Sequence, residues 1–160
     1  MASEGEREVR RAEPLVSYEL VFPGDLNTHG TMFGGKVVAM MDKAAGMCVG
    51  RWANRLVVTA SIDAIQFEAP IEHGQMIEAA ARVLYVGRTS CVVRVVVTAH
   101  DMESGGRVRC CAGYFNMVGL DSDGRPTPLP LIPVETEEEQ RDWEAGRAVH
   151  AAMLARRKKQ

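Results

Sequence analysis

The sequence predicts an α+β fold, with one curved antiparallel sheet wrapped around a single long apolar helix. Two observations predict it. From Val37 to Val49 the residues are Val, Ala, Met, Cys and Gly, interrupted only by Asp42 and Lys43. A helix apolar on nearly every face is expected to be buried on nearly every face. Four β-rich runs then follow, joined by short turns, and short connections imply antiparallel pairing. The 160 residues fit one domain with a sizeable core, and no internal repeat breaks it.

Leu15 to Phe22 mixes β-branched, aromatic and aliphatic residues and reads as the first strand, ended by Pro23-Gly24-Asp25. Asn27 to Gly30 is loop. Gly34-Gly35 opens the helix, which runs to about Ala53. Leu56 to Glu68 reads as a long strand in which Val58, Ala60, Ile62 and Ala64 alternate with Thr59, Ser61 and Asp63. The apolar set is expected to face inward, and Pro70 stops the strand. Met76 to Val86 and Thr89 to Asp101 are two further strands joined through Gly87-Arg88, by a tight hairpin or a bulge. Glu103-Ser104-Gly105-Gly106 turns the chain into a fifth strand, Arg107 to Leu120, and Asp121 to Arg125 turns it again.

Pro126 to Pro133 (PTPLPLIP) is extended and cannot join a sheet interior. Thr136 precedes Glu139 at capping-box spacing, so a last helix runs from about Glu137 towards Arg156. Acids fill its first turns, and Arg156-Arg157-Lys158-Lys159 follow its end, which suits the helix dipole. Met1 to Pro14 is charged and polar and is expected to be a disordered arm. Three parts result: an arm over 1–14, a sheet-and-helix domain over 15–134, and a C-terminal helix over 135–160.

Composition narrows the function classes. Apolar residues make up 46% and charged residues 25%, as in an ordinary globular domain. A net charge of −2 gives no general attraction to nucleic acid or anionic membrane. The four terminal bases read as a solvated helix end. No window approaches about 18 uncharged apolar residues, and the first residues hold no secretory h-region. Cys48, Cys91, Cys110 and Cys111 lie in apolar runs without C-x-x-C spacing, as buried thiols of a reducing, cytoplasmic compartment. His29, His73, His100 and His150 show no metal-ligand spacing, so no metal site is expected. Neither a P-loop nor a dinucleotide-binding glycine pattern occurs.

Asp42 stands out, because a carboxylate left unpaired in a buried helix costs several kcal/mol. It has either a partner or a use. Lys43 is a poor partner, since adjacent helix residues do not face each other, and Arg51 is the other candidate. Gly34 and Gly35 lead into the helix N-terminus, where the first amides lack intrahelical acceptors and the dipole is positive. Glycine allows close approach to those amides, although the pair also serves simply to turn the chain.

Pro23, Asp25, Asn27, Gly30, Phe33-Gly34-Gly35, Met41-Asp42 and Gly46 resemble the acyl-CoA thioesterases of the hotdog fold, in the acyl-CoA hydrolase branch. Val58-Thr59-Ala60-Ser61, Phe67-Glu68-Ala69-Pro70 and Val86-Gly87-Arg88-Thr89-Ser90 resemble the same family in the same order. The likeness covers roughly Ser17 to Val134. It implies a hydrolase that cleaves acyl-CoA to a free fatty acid and coenzyme A, with coenzyme A as part of the substrate and no separate cofactor. It further implies Asp42 as general base or nucleophile, and Asn27 as the residue orienting water or thioester. Gly34-Gly35 are implied as oxyanion donors. Coenzyme A phosphates need cations and N–H or O–H donors, and Gly87, Arg88, Thr89 and Ser90 supply them; Thr59 and Ser61 are further substrate-binding candidates. The same fold also carries non-catalytic acyl-CoA-binding modules, which keep no need for Asp42. Hotdog dehydratases use a catalytic His, and this helix has none.

Helix geometry adds one expectation. Gly34 and Asp42, eight residues apart, lie roughly 12 Å apart along the axis. A carbonyl about 3 Å from the N-terminal amides is then out of reach of the same chain's Asp42. The expected unit is therefore a dimer with composite sites, Asn27 and Gly34-Gly35 from one chain and Asp42 from the other. The resemblance extends this to a trimer of dimers.

Overall fold

The computed structural model describes residues 7–159. Its elements are β1 (Leu15–Leu20), a 3-10 turn (Pro23–Asp25), α1 (Gly34–Ala53), β2 (Leu56–Phe67), β3 (Met76–Val86), β4 (Ser90–His100), β5 (Arg107–Leu120) and α2 (Glu137–Arg157). The sheet order is β1-β3-β4-β5-β2, antiparallel throughout. Short turns keep β3, β4 and β5 side by side. The strands on either side of α1 in sequence, β1 and β2, take the two edges.

The core forms where α1 meets the middle strands. Val37, Met41, Ala44, Ala45, Cys48 and Val49 pack with Ala79, Ala81, Val93, Val95, Val97, Cys111, Phe115 and Met117. β4 follows the two-residue period: Val93, Val95 and Val97 are fully buried, while Arg94, Val96 and Thr98 between them are half-buried. All four cysteines are unpaired and buried. Desolvation pushes the Cys111 thiol up to about 11, so it stays a neutral core group. Among the described residues no helix is long and apolar enough to cross a membrane.

α2 covers the other face. Ala81 and Val83 face α1, so Arg82 between them faces away. There its guanidinium meets Glu138 at 2.9 Å and Asp142 at 3.2 Å, and Trp143 stacks edge-on to Tyr85. The capping box forms as expected: Thr136 Oγ1 accepts from the Glu139 amide at 3.1 Å, and the Glu139 carboxylate accepts from the Thr136 amide at 3.1 Å. The Glu135 amide first, and then Arg11, hold the Glu139 carboxyl down to about 2. Stability from this contact is present above the ordinary carboxylate range and is lost as pH falls towards 2.

Three expectations need correction. First, α1 is not buried all round: Gly35, Ala39, Lys43 and Met47 form an exposed stripe at four-residue spacing. The neighbouring stripe, Gly34, Val38, Asp42, Gly46 and Gly50, is only half-buried. The sheet supports one side of the helix, and among the described residues nothing covers the exposed stripe.

Second, β2 shows the reverse of its expected faces. Val58, Ala60, Ile62 and Ala64 are exposed, and Val57, Thr59, Ser61, Asp63 and Ile65 are half-buried. As an edge strand β2 is hydrogen-bonded on one flank only, and register shifts at Thr59/Ser61 and Asp63/Gln66, with Ala64 at φ 49°, turn it twice.

Third, the arm expected over 1–14 is held in its described part. Residues 1–6 lie outside the described residues. The arm exchanges backbone hydrogen bonds with Leu131 (Arg10 amide to Leu131 carbonyl, Leu131 amide to Glu8 carbonyl, 2.8 Å each). Arg10 also donates to the Trp52 carbonyl at 2.7 Å, and Arg11 reaches Glu135 and Glu139. Arginines that read as solvated charge thus find acceptors far along the chain.

One glycine decides whether α2 can seat. A Cβ at Gly146 would lie 2.7 Å from Tyr85 Cβ, 2.9 Å from Leu84 Cβ and 3.1 Å from the Tyr85 amide nitrogen, none of which can swing aside. Gly146→Ala is expected to lose about 1–3 kcal/mol in urea unfolding, the scale of overpacking. Gly24→Ala, where the added methyl meets nothing within 4 Å, should stay within about 0.5 kcal/mol of wild type.

Candidate active site

Asp42 has a partner, and it is neither Lys43 nor Arg51. Thr59 on β2 donates its hydroxyl to Asp42 Oδ1 at 2.5 Å. Arg51 instead donates to the carbonyls of Glu13 and Pro14, and Lys43 is exposed. Met117 Sδ lies 3.4 Å from the same Thr59 oxygen, closing the hydroxyl in from the β5 side. Asp42 is half-buried, and among the described residues no group bonds its second oxygen. One oxygen is thus fixed and the other remains free to take a proton or attack.

The α1 N-terminus presents open donors. Phe33 is its N-cap and no side chain caps it, and the first α1 amide with an acceptor is Lys36, bonded to the Phe33 carbonyl at 2.9 Å. Gly34 and Gly35 come before it. A Cβ at Gly35 would lie 2.6 Å from the Phe33 ring and one at Gly34 3.2 Å from the Phe67 ring, so two aromatic rings flank these amides. Lys36 bonds the Gly24 carbonyl and Asp25, which ties the preceding loop to the first turn.

Asn27 braces its own loop. Its Oδ1 accepts from the amides of His29 at 2.9 Å and Thr31 at 3.2 Å, and its Nδ2 donates to Thr31 Oγ1 at 3.0 Å. One Nδ2 hydrogen is left over. Asn27, Thr31, Gly34, Val37 and Phe67 line one cleft of about 390 Å³. Asp42 does not line it. Within one chain, then, Asn27 and the donor amides share a cleft, and Asp42 with Thr59 sits two turns further along the helix.

The other candidates part company. Ser61 lies beyond the Thr59/Ser61 irregularity and lines a separate cavity of about 530 Å³ with Asp63, Asn116 and Arg156 of α2. Gly87, Arg88, Thr89 and Ser90 form the β3–β4 turn, closed by the Gly87 amide on the Ser90 carbonyl at 2.8 Å. Arg88 is exposed. Thr59 is the residue that sequence reasoning undervalued: it stood as a minor substrate contact, and its position opposite Asp42 depends on strand pairing that no local pattern reveals.

A five-stranded antiparallel sheet with one long helix seated on its face is the hotdog fold. Residues 29–105 match the family model of the Thioesterase superfamily. The chain is 37% identical over 125 residues to an uncharacterized acyl-CoA thioester hydrolase of Bacillus subtilis (strain 168), covering 78% of this chain and 73% of that one. The chain belongs to this acyl-CoA thioester hydrolase family. Its structure superposes on a crystal structure of an apo-hexameric acyl-CoA thioesterase with a TM-score of 0.88 at 35% identity, covering 93% of this chain and 97% of that one. An acyl-CoA hydrolase of Staphylococcus aureus, solved as an asparagine-to-alanine variant with coenzyme A, gives 0.88 at 29% identity, covering 96% and 93%. The chain also matches the cytosolic acyl coenzyme A thioester hydrolase of Rattus norvegicus, 34% identical over 140 residues and 86% of this chain, but spans only 37% of that relative's length.

The Thr59–Asp42 contact is measurable apart from activity. In a double-mutant cycle on unfolding stability, Thr59→Val and Asp42→Ala should show a coupling of about 1 kcal/mol, as for one hydrogen bond to a partly solvated charge. Strictly additive losses would show that the hydroxyl is not spent on Asp42.

Proposed function

We propose that the protein hydrolyses acyl-CoA thioesters to a free fatty acid and coenzyme A, as a dimer-based assembly with composite sites. One observation carries the reading. Asp42, with one oxygen held by Thr59 and the other free, lies on the same helix as the open Gly34 and Gly35 amides, roughly 12 Å along its axis. A single chain therefore holds both halves of a hydrolytic site too far apart to share one carbonyl.

A second copy beside β2 resolves the distance. β2 has a free edge, and Phe33 (56% exposed), Met47 (49%), Ile62 (41%) and Phe67 (58%) leave apolar surface on and beside it. Pairing two such edges antiparallel runs the two α1 helices in opposite directions. Asp42 of the partner subunit then comes to Gly34, Gly35 and Asn27 of the first, and two-fold symmetry repeats the arrangement. The hexameric assembly of the superposed thioesterase is consistent with three such dimers.

In this reading the amides of Gly34 and Gly35 take the carbonyl oxygen as it gains negative charge. Asp42 either draws a proton from the attacking water or attacks the carbonyl carbon itself. The carbon–sulfur bond breaks and the thiolate of coenzyme A leaves with the proton that came from water; where Asp42 itself attacks, the acyl group passes to its carboxylate as an anhydride, and water splits that anhydride, giving its proton to the thiolate, before the acid departs. No cofactor beyond the substrate's own coenzyme A enters. Arg88 and the hydroxyl of Thr89 meet the coenzyme phosphates at the β3–β4 turn. Four unpaired buried cysteines support a cytoplasmic setting.

Release of free thiol from acyl-CoAs of graded chain length tests the activity directly. Asp42→Asn should stay folded and lose at least about 10²-fold in kcat; tight acyl-CoA binding by the wild-type protein without thiol release would instead mark a binding module.

Complementation tests the composite site. Asn27→Ala and Asp42→Ala proteins, each nearly inactive, are unfolded and refolded together in equal amounts. Half of the dimers should then be mixed, each with one intact site, and about a quarter of wild-type activity should return. Mixed dimers that stay at the parental level would place Asn27 and Asp42 in the same chain's site.

A further inference from the structure

The β3–β4 turn has an asymmetric hydrogen-bond pattern. All four of its carbonyls are engaged within the protein. The Gly87 carbonyl accepts from Arg7 Nη1 at 2.5 Å. The Arg88 carbonyl accepts from the Leu129 amide at 2.9 Å, the Thr89 carbonyl from the Gly119 amide at 2.9 Å, and the Ser90 carbonyl from the Gly87 amide at 2.8 Å. Among the described residues, the amides of Arg88 and Thr89 donate to nothing. A turn whose acceptors are all spent and whose donors remain open is suited to an anion.

Two contacts that brace this turn come from outside the sheet. Arg7, in the N-terminal arm, also reaches the Arg88 carbonyl at 3.3 Å and the Leu129 carbonyl at 3.4 Å, so one guanidinium gathers three carbonyl oxygens. His150, on α2, lies with Nε2 3.1 Å from Ser90 Oγ. Its ring rests against Tyr85, with centroids 5.2 Å apart. A Cβ at Gly87 would stand 3.5 Å from His150 Cε1, so the histidine lies beside Gly87 as well as Ser90. The Ser90 hydroxyl, read from sequence as a substrate contact, is thereby directed to α2.

We propose that Arg7 and His150 are positioning residues that hold the Gly87–Ser90 turn in the conformation that receives the phosphates of coenzyme A. Both lie outside the 29–105 stretch that matches the family model. The inference rests on the proposed acyl-CoA reading and adds to it where the turn's preorganisation comes from. A guanidinium that occupies three carbonyls keeps them from pointing at an approaching phosphate. The imidazole contact fixes the turn's far end, so less ordering is left to the moment of binding.

The test uses the full-length protein and two substrates, acyl-CoA and the matching acyl-pantetheine, which lacks the nucleotide phosphates. Arg7→Ala and His150→Ala should each raise KM for acyl-CoA about 3- to 10-fold, the scale of one or two lost hydrogen bonds, with kcat within about twofold of wild type. KM for acyl-pantetheine should not move. His150→Gln, whose amide reaches the Ser90 hydroxyl, should restore KM towards wild type and keep α2 seated. Arg88→Ala is the control for the underlying reading and should show the same phosphate-dependent rise in KM. If Arg88→Ala behaves so while Arg7→Ala and His150→Ala leave KM unchanged, the positioning roles are overturned and the acyl-CoA reading stands. If Arg88→Ala shifts both substrates equally, the turn does not take phosphates, and both the assignment and this inference fall. A drop in kcat on both substrates in the Arg7 and His150 variants would show a general structural role and likewise overturn the proposal.

Discussion

Seating α1 on one face of the sheet is the constraint on which the rest depends. The helix is 20 residues long and meets the strands through the long Met41 and the smaller Ala44, Ala45, Cys48 and Val49, all fully buried. Small side chains let backbones approach closely, and a bulky residue there would lift the helix from the sheet. Once seated, α1 carries an uncapped N-terminus at one end and Asp42 near its middle, at a separation that no side-chain rotation closes. The same seating leaves one long side of the helix beside β2 unsupported. Asp42 lies on the half-buried stripe between the sheet side and that exposed side, with one oxygen held by Thr59 of β2.

Much of this was legible in the sequence. The apolar run around Asp42, the turns at Gly87-Arg88 and Gly105-Gly106, and the Thr136/Glu139 pair mark elements by local rules, and these elements appear within a residue or two of their expected ends. What local rules do not carry is pairing. Whether Val58 or Thr59 faces the helix depends on β2 being an edge and on two register shifts, both decided by long-range contacts with β5. The alternation in β2 is legible in the sequence, and only which of its two faces lies inward is not. The helix showed the matching error, since an all-round apolar pattern reads as complete burial whether the cover is the chain's own sheet or a second copy.

Asn27 shows a different limit. Its type and place follow from the family likeness, but the structure spends most of its amide on the loop from Asn27 to Thr31. That bonding holds the side chain at the mouth of the cleft beside Gly34, leaving one hydrogen. A loop stabiliser and a substrate-orienting group are therefore compatible here. The arm and α2 were harder to read, because arginines, glutamates and a lone histidine have no periodicity. Arg7, Arg10 and Arg11 look like solvated charge until the carbonyls and carboxylates they meet, between about 40 and 128 residues away, are brought beside them.

Donors and acceptors are distributed with a consistent sign. At the α1 N-terminus and at the β3–β4 turn the chain leaves amide N–H groups open and directs carbonyls elsewhere. At both places a positive group stands close by, Lys36 at the first and Arg7 at the second. An acyl-CoA is anionic at its phosphates and becomes anionic at its carbonyl oxygen only during the reaction. In the proposed reading, open N–H groups serve binding at the turn and the transition state at the helix, with the same chemical means. In the same reading Asp42 is the acceptor at the reacting end, and Thr59 fixes which of its oxygens stays free. A donor-rich surface with one oriented acceptor would separate attack from binding in space. In the proposed dimer the edge strand β2, hydrogen-bonded to β5 alone in the single chain, bears on both halves of the site.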